Sequence, residues 1–260
     1  MLTATDIHLS LGGRPVLNGV DFTARPGQIT AIVGPNGSGK TTLLRALTGE
    51  LRPRGAITLD GQDCARLPPA EMAARRAVLP QAGAVAFPFT LREVVQMGLS
   101  AGLSAARPEV VGQALRAVDL AAHADRLFQE LSGGEQARGH LARALAQVWE
   151  PVVAGVPRWL FLDEPVASLD IGHQLQVMAL MADYAARGGG VIAVMHDLNL
   201  TAMFAAQITL LNRGRVEAAG PPGAVLADRP LSRAYGTALR VNVTPPPGHV
   251  FVLPQTAAAV

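Results

Sequence analysis

Short runs of consecutive apolar residues, each closed by glycine or by charged side chains, set the rhythm of this chain. Residues 28–33 (QITAIV) are rich in β-branched side chains and pass directly into a glycine-rich stretch, GPNGSGKTT at 34–42. Leucines at 43, 44 and 47 then recur at helical spacing, with Gly49 as a stop. The predicted order is strand, glycine loop, helix. A second apolar run at 159–162 ends in Asp163 and Glu164, and a third at 191–195 ends in His196 and Asp197. Both read as buried parallel strands whose polar residues sit at the C-terminal ends, where α/β sheets bind ligands.

Other periods apply elsewhere. Residues 2–11 and 16–23 alternate as half-buried strands, with turns at Gly12-Gly13 and Pro26-Gly27. Between 89 and 147 the pattern turns alanine- and leucine-rich with helical spacing, broken at Gly102, Pro108 and Ser132-Gly133-Gly134. This predicts an α/β core with an inserted helical lobe. Pro221-Pro222 and Pro245-Pro246-Pro247 mark a C-terminal stretch of short elements.

Composition narrows the function classes. A chain of 260 residues, 49% apolar, supports one large domain or two coupled lobes. Its formal charge is only +2 and its basic residues are not clustered, so no nucleic-acid partner is expected. The single cysteine, Cys64, has no intrachain disulfide partner, and the first ten residues lack a signal-peptide pattern. A cytosolic chain is the simplest reading. No uninterrupted apolar run reaches the roughly 18 residues of a membrane span, so any membrane role goes through partners. Of 22 basic residues, 21 are arginine; the only lysine is Lys40.

That lysine falls inside Gly34, Pro35, Asn36, Gly37, Ser38, Gly39, Lys40 and Thr41, which fit G-x-x-x-x-G-K-[ST] in the strand-to-helix context the pattern requires; Thr42 follows. Glycines let the backbone wrap a phosphate, and successive N–H groups and the helix N-terminus supply positive potential. Lys40 would reach the β/γ oxygens of a nucleotide and Thr41 would ligate Mg²⁺. A planar guanidinium does not replace a compact ammonium there. Asp163 is placed to hold Mg²⁺ and Glu164 to orient or deprotonate the attacking water; adjacent carboxylates at a buried strand end repel one another without a cation. His196 ends the next strand within expected reach of the γ-phosphate. Ser132, Gly133 and Gly134 open a further helix. Ser132 alone fits an ordinary N-cap, whereas the paired glycines suit close backbone approach to phosphate.

With these residues in view the chain resembles the ATP-binding cassette family. LSGGEQ (131–136) matches its signature, GPNGSGKT its Walker A element and LFLDE (160–164) its Walker B element; Gln81 fits the Q-loop, Ser168-Leu169-Asp170 the D-loop and His196 the switch histidine. The resemblance implies a P-loop NTPase (RecA-like) core with a β lobe at 1–88 and 156–260, and a helical signature subdomain at 89–155. It implies that the β lobe is antiparallel, and that ATP and Mg²⁺ are cofactors, with Thr41, Gln81 and Asp163 at the metal and Glu164, His196 and Gln81 as catalytic residues. It also implies that two copies pack head to tail, Ser132, Gly133, Gly134 and Gln136 of one closing on the partner's ATP beside Asp170. One departure is Leu11, where the family often stacks adenine on an aromatic.

A narrower resemblance, to ATPase subunits of bacterial haem importers, is carried by RRAVLPQ (75–81), AFPF (86–89), VVQMG (94–98), PRWLFLDEP (157–165) and HDLNLTAMFA (196–205). It implies transmembrane permease subunits as partners, a periplasmic haem-binding protein indirectly, and a peripheral place on the cytoplasmic face of the inner membrane. Siderophore or cobalamin import is the alternative within the class. A soluble cassette protein acting on DNA or ribosomes would be expected to show a coiled-coil insertion or tandem cassettes.

Overall fold

The alternating N-terminal segments pair as a hairpin, β1 (Leu2–Leu11) against β2 (Arg14–Ala24), with Leu9 opposite Leu17 and Leu11 opposite Arg14. The computed structural model describes residues 1–81, 87–103 and 105–257. After the hairpin, β3 (Ile29–Val33) is buried along its whole length and feeds the glycine loop and α1 (Lys40–Leu47). Leu43, Leu44 and Leu47 all face inward, as their spacing predicts, each burial contributing about 1.5–3 kcal/mol. β4 (Arg54–Leu59) and β5 (Gln62–Asp63) extend the hairpin into an antiparallel sheet of order β2-β1-β4-β5.

Next come α2 (Pro69–Arg75), β6 (Arg76–Leu79), α3 (Leu91–Ala101), α4 (Glu109–Ala117) and α5 (Gly133–Gln147). Helix α3 starts at a capping box of Thr90 and Glu93, and α5 at one of Ser132 and Glu135. The two helices approach closely at Gly98, where an added Cβ would lie 2.1 Å from the Arg143 carbonyl oxygen. A short hairpin, β7 (Val152–Val153) and β8 (Val156–Pro157), leads back to the sheet.

The remaining elements are β9 (Trp159–Asp163), α6 (Ile171–Ala186), β10 (Gly190–Val194), α7 (Leu198–Phe204), β11 (Gln207–Asn212), β12 (Arg215–Gly220), α8 (Pro222–Val225) and α9 (Asp228–Tyr235). The main sheet runs β12-β11-β3-β10-β9-β6, parallel from β11 to β6 with β12 antiparallel at the edge. Alternation along the strands divides the core. Ala31, Val33, Leu160, Leu162 and Ala193 pack with α3–α7, while Ile32, Phe161, Ile192 and Val194 pack against the α1 leucines and the antiparallel sheet. Because the strands are parallel, the residues following β3, β6, β9 and β10 emerge at one edge.

Several elements lie beyond what the sequence analysis predicts, among them β6 and the β11–β12 hairpin. The run in β6 is only Ala-Val-Leu directly after a helix, too short for a strand signal, and the β11–β12 hairpin merges with the apolar run that precedes it. Ala86 of the AFPF segment lies outside the described residues.

Candidate functional site

At that common edge the glycine loop is shaped by close approach. Gly34 has φ +146°, and a Cβ there would stand 2.2 Å from the Leu211 carbonyl oxygen; Gly39, at the helix N-cap, has φ +103°. No other residue type fits Gly34 without displacing β11. The Lys40 ammonium folds back over this loop, donating to Gly34 O at 2.9 Å and Pro35 O at 3.1 Å. Only 6% of Lys40 is exposed. Burial lowers its pKa from the ordinary lysine value, partly opposed by Glu164 and Asp163. The Ser38 hydroxyl is buried and, among the described residues, its Oγ has no hydrogen-bond partner. A buried cation held only by carbonyls, beside an orphan hydroxyl, fits an anion with several acceptor oxygens.

The carboxylates stand across from the loop. Thr41 Oγ1 donates to Asp163 Oδ1 at 3.2 Å. Burial raises the Asp163 pKa, and the Thr41 hydrogen bond and Lys40 pull it back. Their oxygens form the hard donor set that Mg²⁺ takes. The Glu164 backbone sits at φ +55°, uncommon for a residue with a side chain. It is held there as its N–H donates to Val194 O at 3.2 Å. Its Oε1 lies 2.7 Å from His196 Nε2. Strain of this kind persists where surrounding structure fixes it, often at reacting centres.

Lys40, Thr41, Gln81, Glu164, His196 and Val16 line one cavity of about 910 Å³, with Asn36, Gly37, Gly39 and Thr42 also in its wall. Asp163 lies behind Thr41 and lines a neighbouring cavity together with Thr41 and Gln81. Leu11 does not line this cavity; among the described residues its apolar wall includes Val16, Val166 and Met195 and no Phe, Tyr or Trp. Val16 and Gln174, which also lines this cavity, were not singled out by sequence; nothing in their local pattern separates them from ordinary strand and helix positions.

The signature residues are not brought to this cavity within the chain. Ser132 caps α5, accepting from the Glu135 N–H at 3.3 Å. A Cβ added at Gly133 would meet nothing within 4 Å, and one at Gly134 would touch Ser168 O at 3.4 Å. Packing in one chain therefore does not explain the first glycine. The Gln136 amide donates to Phe128 O and Leu131 O, fixing the loop before the helix. Asp170 caps α6 and faces His173 Nδ1 at 2.7 Å.

A family model described as ABC transporter matches residues 17–167, from β2 through the Asp163–Glu164 pair. The chain belongs to that family. Two curated relatives span nearly its whole length. Hemin import ATP-binding protein HmuV of Jannaschia sp. (strain CCS1) is 60% identical, covering 99% of this chain and 95% of the relative. The protein of the same name from Roseobacter denitrificans (strain ATCC 33942 / OCh 114) is 58% identical, covering 98% of each. Among solved structures, an ATP binding subunit of an ABC transporter superposes with a TM-score of 0.77 at 25% identity, over 92% of this chain and 94% of that one. A putative metal-chelate type ABC transporter in an inward-facing conformation gives 0.72 at 26% identity, over 90% and 88%. The α/β class with a P-loop NTPase fold, expected from the strand, glycine loop and helix order, is therefore the fold of an ABC cassette.

Proposed function

We propose that this chain is the ATP-hydrolysing subunit of a haem importer, working beneath transmembrane permease subunits on the cytoplasmic face of the inner membrane. The observation that carries the ATPase reading is the convergence of Lys40, Thr41, Glu164 and His196 on one cavity. The cargo reading is supported by the full-length relatives named for hemin import. No helix among the described residues is long and apolar enough to cross a membrane.

In this reading Lys40 exchanges the carbonyl oxygens of Gly34 and Pro35 for the β/γ oxygens of ATP. Ser38 Oγ and the backbone N–H groups of residues 34–42 complete the phosphate cradle. Thr41, Gln81 and Asp163 would hold Mg²⁺, which when bound would neutralise phosphate charge. Glu164 accepts the proton of the attacking water, and His196 Nε2 keeps the carboxylate oriented toward it. Adenine rests on Val16 and neighbouring aliphatic surface, with no aromatic platform.

The exposed Gly133 and half-buried Gly134 at the start of α5 fit a second role. Ser132, Gly133, Gly134 and Gln136 of one copy close on ATP bound to the other, with Asp170 at the same interface. Such an isologous pair closes two sites at once. Residues 89–155 act as the lobe that carries this signature, and 1–88 with 156–260 as the lobe that binds ATP. A periplasmic haem-binding protein supplies cargo from the far side of the permease.

Deleting the gene tests the cargo: growth on haem as sole iron source should stop. Loss of siderophore or cobalamin uptake with growth on haem intact would reassign the cargo within the importer class. Co-purification with ribosomes or DNA and not with membranes would overturn the importer reading itself.

A further inference from the structure

We propose that a second cavity, of about 470 Å³, at the opposite end of the main sheet from the phosphate loop, binds an apolar molecule ending in a single carboxylate. Its walls come from the C-terminal end of α1 and the chain just beyond it, from β4, and from α2 with the start of β6. Leu51, Ile57, Leu67 and Met72 give it an apolar interior. The volume falls within the roughly 300–1,000 Å³ of small-molecule sites.

The charge in this cavity is unbalanced. Arg76 lines it, with Nε buried and lacking a hydrogen-bond partner. Among the described residues its guanidinium forms no ion pair. Burial lowers the Arg76 pKa, opposed by Cys64 and Glu50. Arg52 adds a second cation at the rim. The carboxylate in the wall, Asp63, is already engaged: Oδ1 accepts from Ala65 N at 3.0 Å, and Oδ2 lies 3.4 Å from Arg66 Nε. Arg76 is half-buried with its Nε fully covered, and a guanidinium without an ion-pair partner matches a carboxylate in fork geometry. One unpaired, half-buried guanidinium calls for one monoanion; a phosphate's second charge would have only the exposed Arg52 to meet it. The apolar walls take the rest of the ligand.

The site can speak to the nucleotide. Helix α1 carries Lys40 at one end and contributes Ala46 to this cavity near the other, and β6 begins at Arg76 and leads to Gln81. A ligand here would therefore bear on two elements that reach the phosphate edge. The proposal does not depend on the cargo.

Cys64, the only cysteine in the chain, lines the cavity and serves as its probe. Burial and the nearby Asp63 push its thiol pKa up, so alkylation by iodoacetamide is followed at mildly alkaline pH by mass spectrometry of the full chain. Octanoate should slow the reaction saturably. Arg76→Gln should raise the octanoate needed by roughly tenfold, the scale of one lost charge-assisted hydrogen bond, while Mg-ATP hydrolysis in the absence of octanoate persists. The neutral analogue 1-octanol should protect wild type and variant alike. If Arg76→Gln fails to fold, Arg76→Lys, which keeps the charge and loses the fork, should fall between. Absence of saturable protection by octanoate, or equal protection in wild type and the Arg76 variants, would overturn the proposal.

Discussion

Lys40 Nζ lies 2.9 Å from the carbonyl oxygen of Gly34, six residues earlier in the chain, so the ammonium is tied to the loop that should hold its phosphate. The bond is a placeholder made by a point charge with rotatable donors. A guanidinium, broader and planar, does not fit between Gly34 O and Pro35 O. Lys40→Arg should therefore lower ATP turnover by about 10²-fold or more, the scale of removing a transition-state electrostatic contact. Steady-state phosphate release checks it, and near-normal rates would remove Lys40 from the chemistry.

Asp163 gives a pH-dependent stability. Burial raises its folded pKa above the unfolded value, so its contribution to stability is fully present below the unfolded pKa and is lost as pH rises through the folded one. Asp163→Asn should accordingly unfold at a higher Tm than wild type at neutral pH without nucleotide or metal, and the gap should close as pH falls through the acidic range. Differential scanning calorimetry across pH measures this. An unchanged or lower Tm at neutral pH would contradict it. The same variant should lose Mg²⁺-dependent turnover.

Much of the site was legible in the sequence because it sits where strands end. A buried parallel strand is a bare apolar run, so the residues that terminate it, Gly34, Asp163 and His196, stand out. Geometry that depends on neighbours was not legible. The orphan Ser38 hydroxyl, the positive φ of Glu164 and the Thr41–Asp163 bond all arise from β3, β9 and β10 lying side by side. Strand β6 was hidden for a similar reason: its apolar residues gain meaning only when paired with β9. The signature motif was legible as a motif, yet one chain does not bring it to the cavity that Lys40 lines.

Gly98 tests the packing that positions the signature helix. A methyl group there meets the Arg143 backbone oxygen, and backbone does not swing aside as a flexible side chain does. Gly98→Ala should push α3 from α5 and cost about 1–3 kcal/mol, as overpacking usually does. Chemical denaturation should show a lower midpoint with unchanged ATP affinity, since the cavity around Lys40 contains neither helix. A stability equal to wild type would mean the two helices part without cost.

The central claim is that Glu164 acts on water while Lys40 and Thr41 hold the nucleotide, and the most direct measurement compares turnover with binding in Glu164→Gln. With Mg-ATP affinity unchanged, turnover should fall by about 10²- to 10⁴-fold, as expected for loss of a general base. The trapped ATP should hold two copies together, a dimer seen by size-exclusion chromatography with light scattering and abolished by adding Ser132→Arg. Turnover within about threefold of wild type, or a loss of ATP affinity matching the loss of rate, would contradict the account, because Glu164 would then be a ligand or a bystander and not the base.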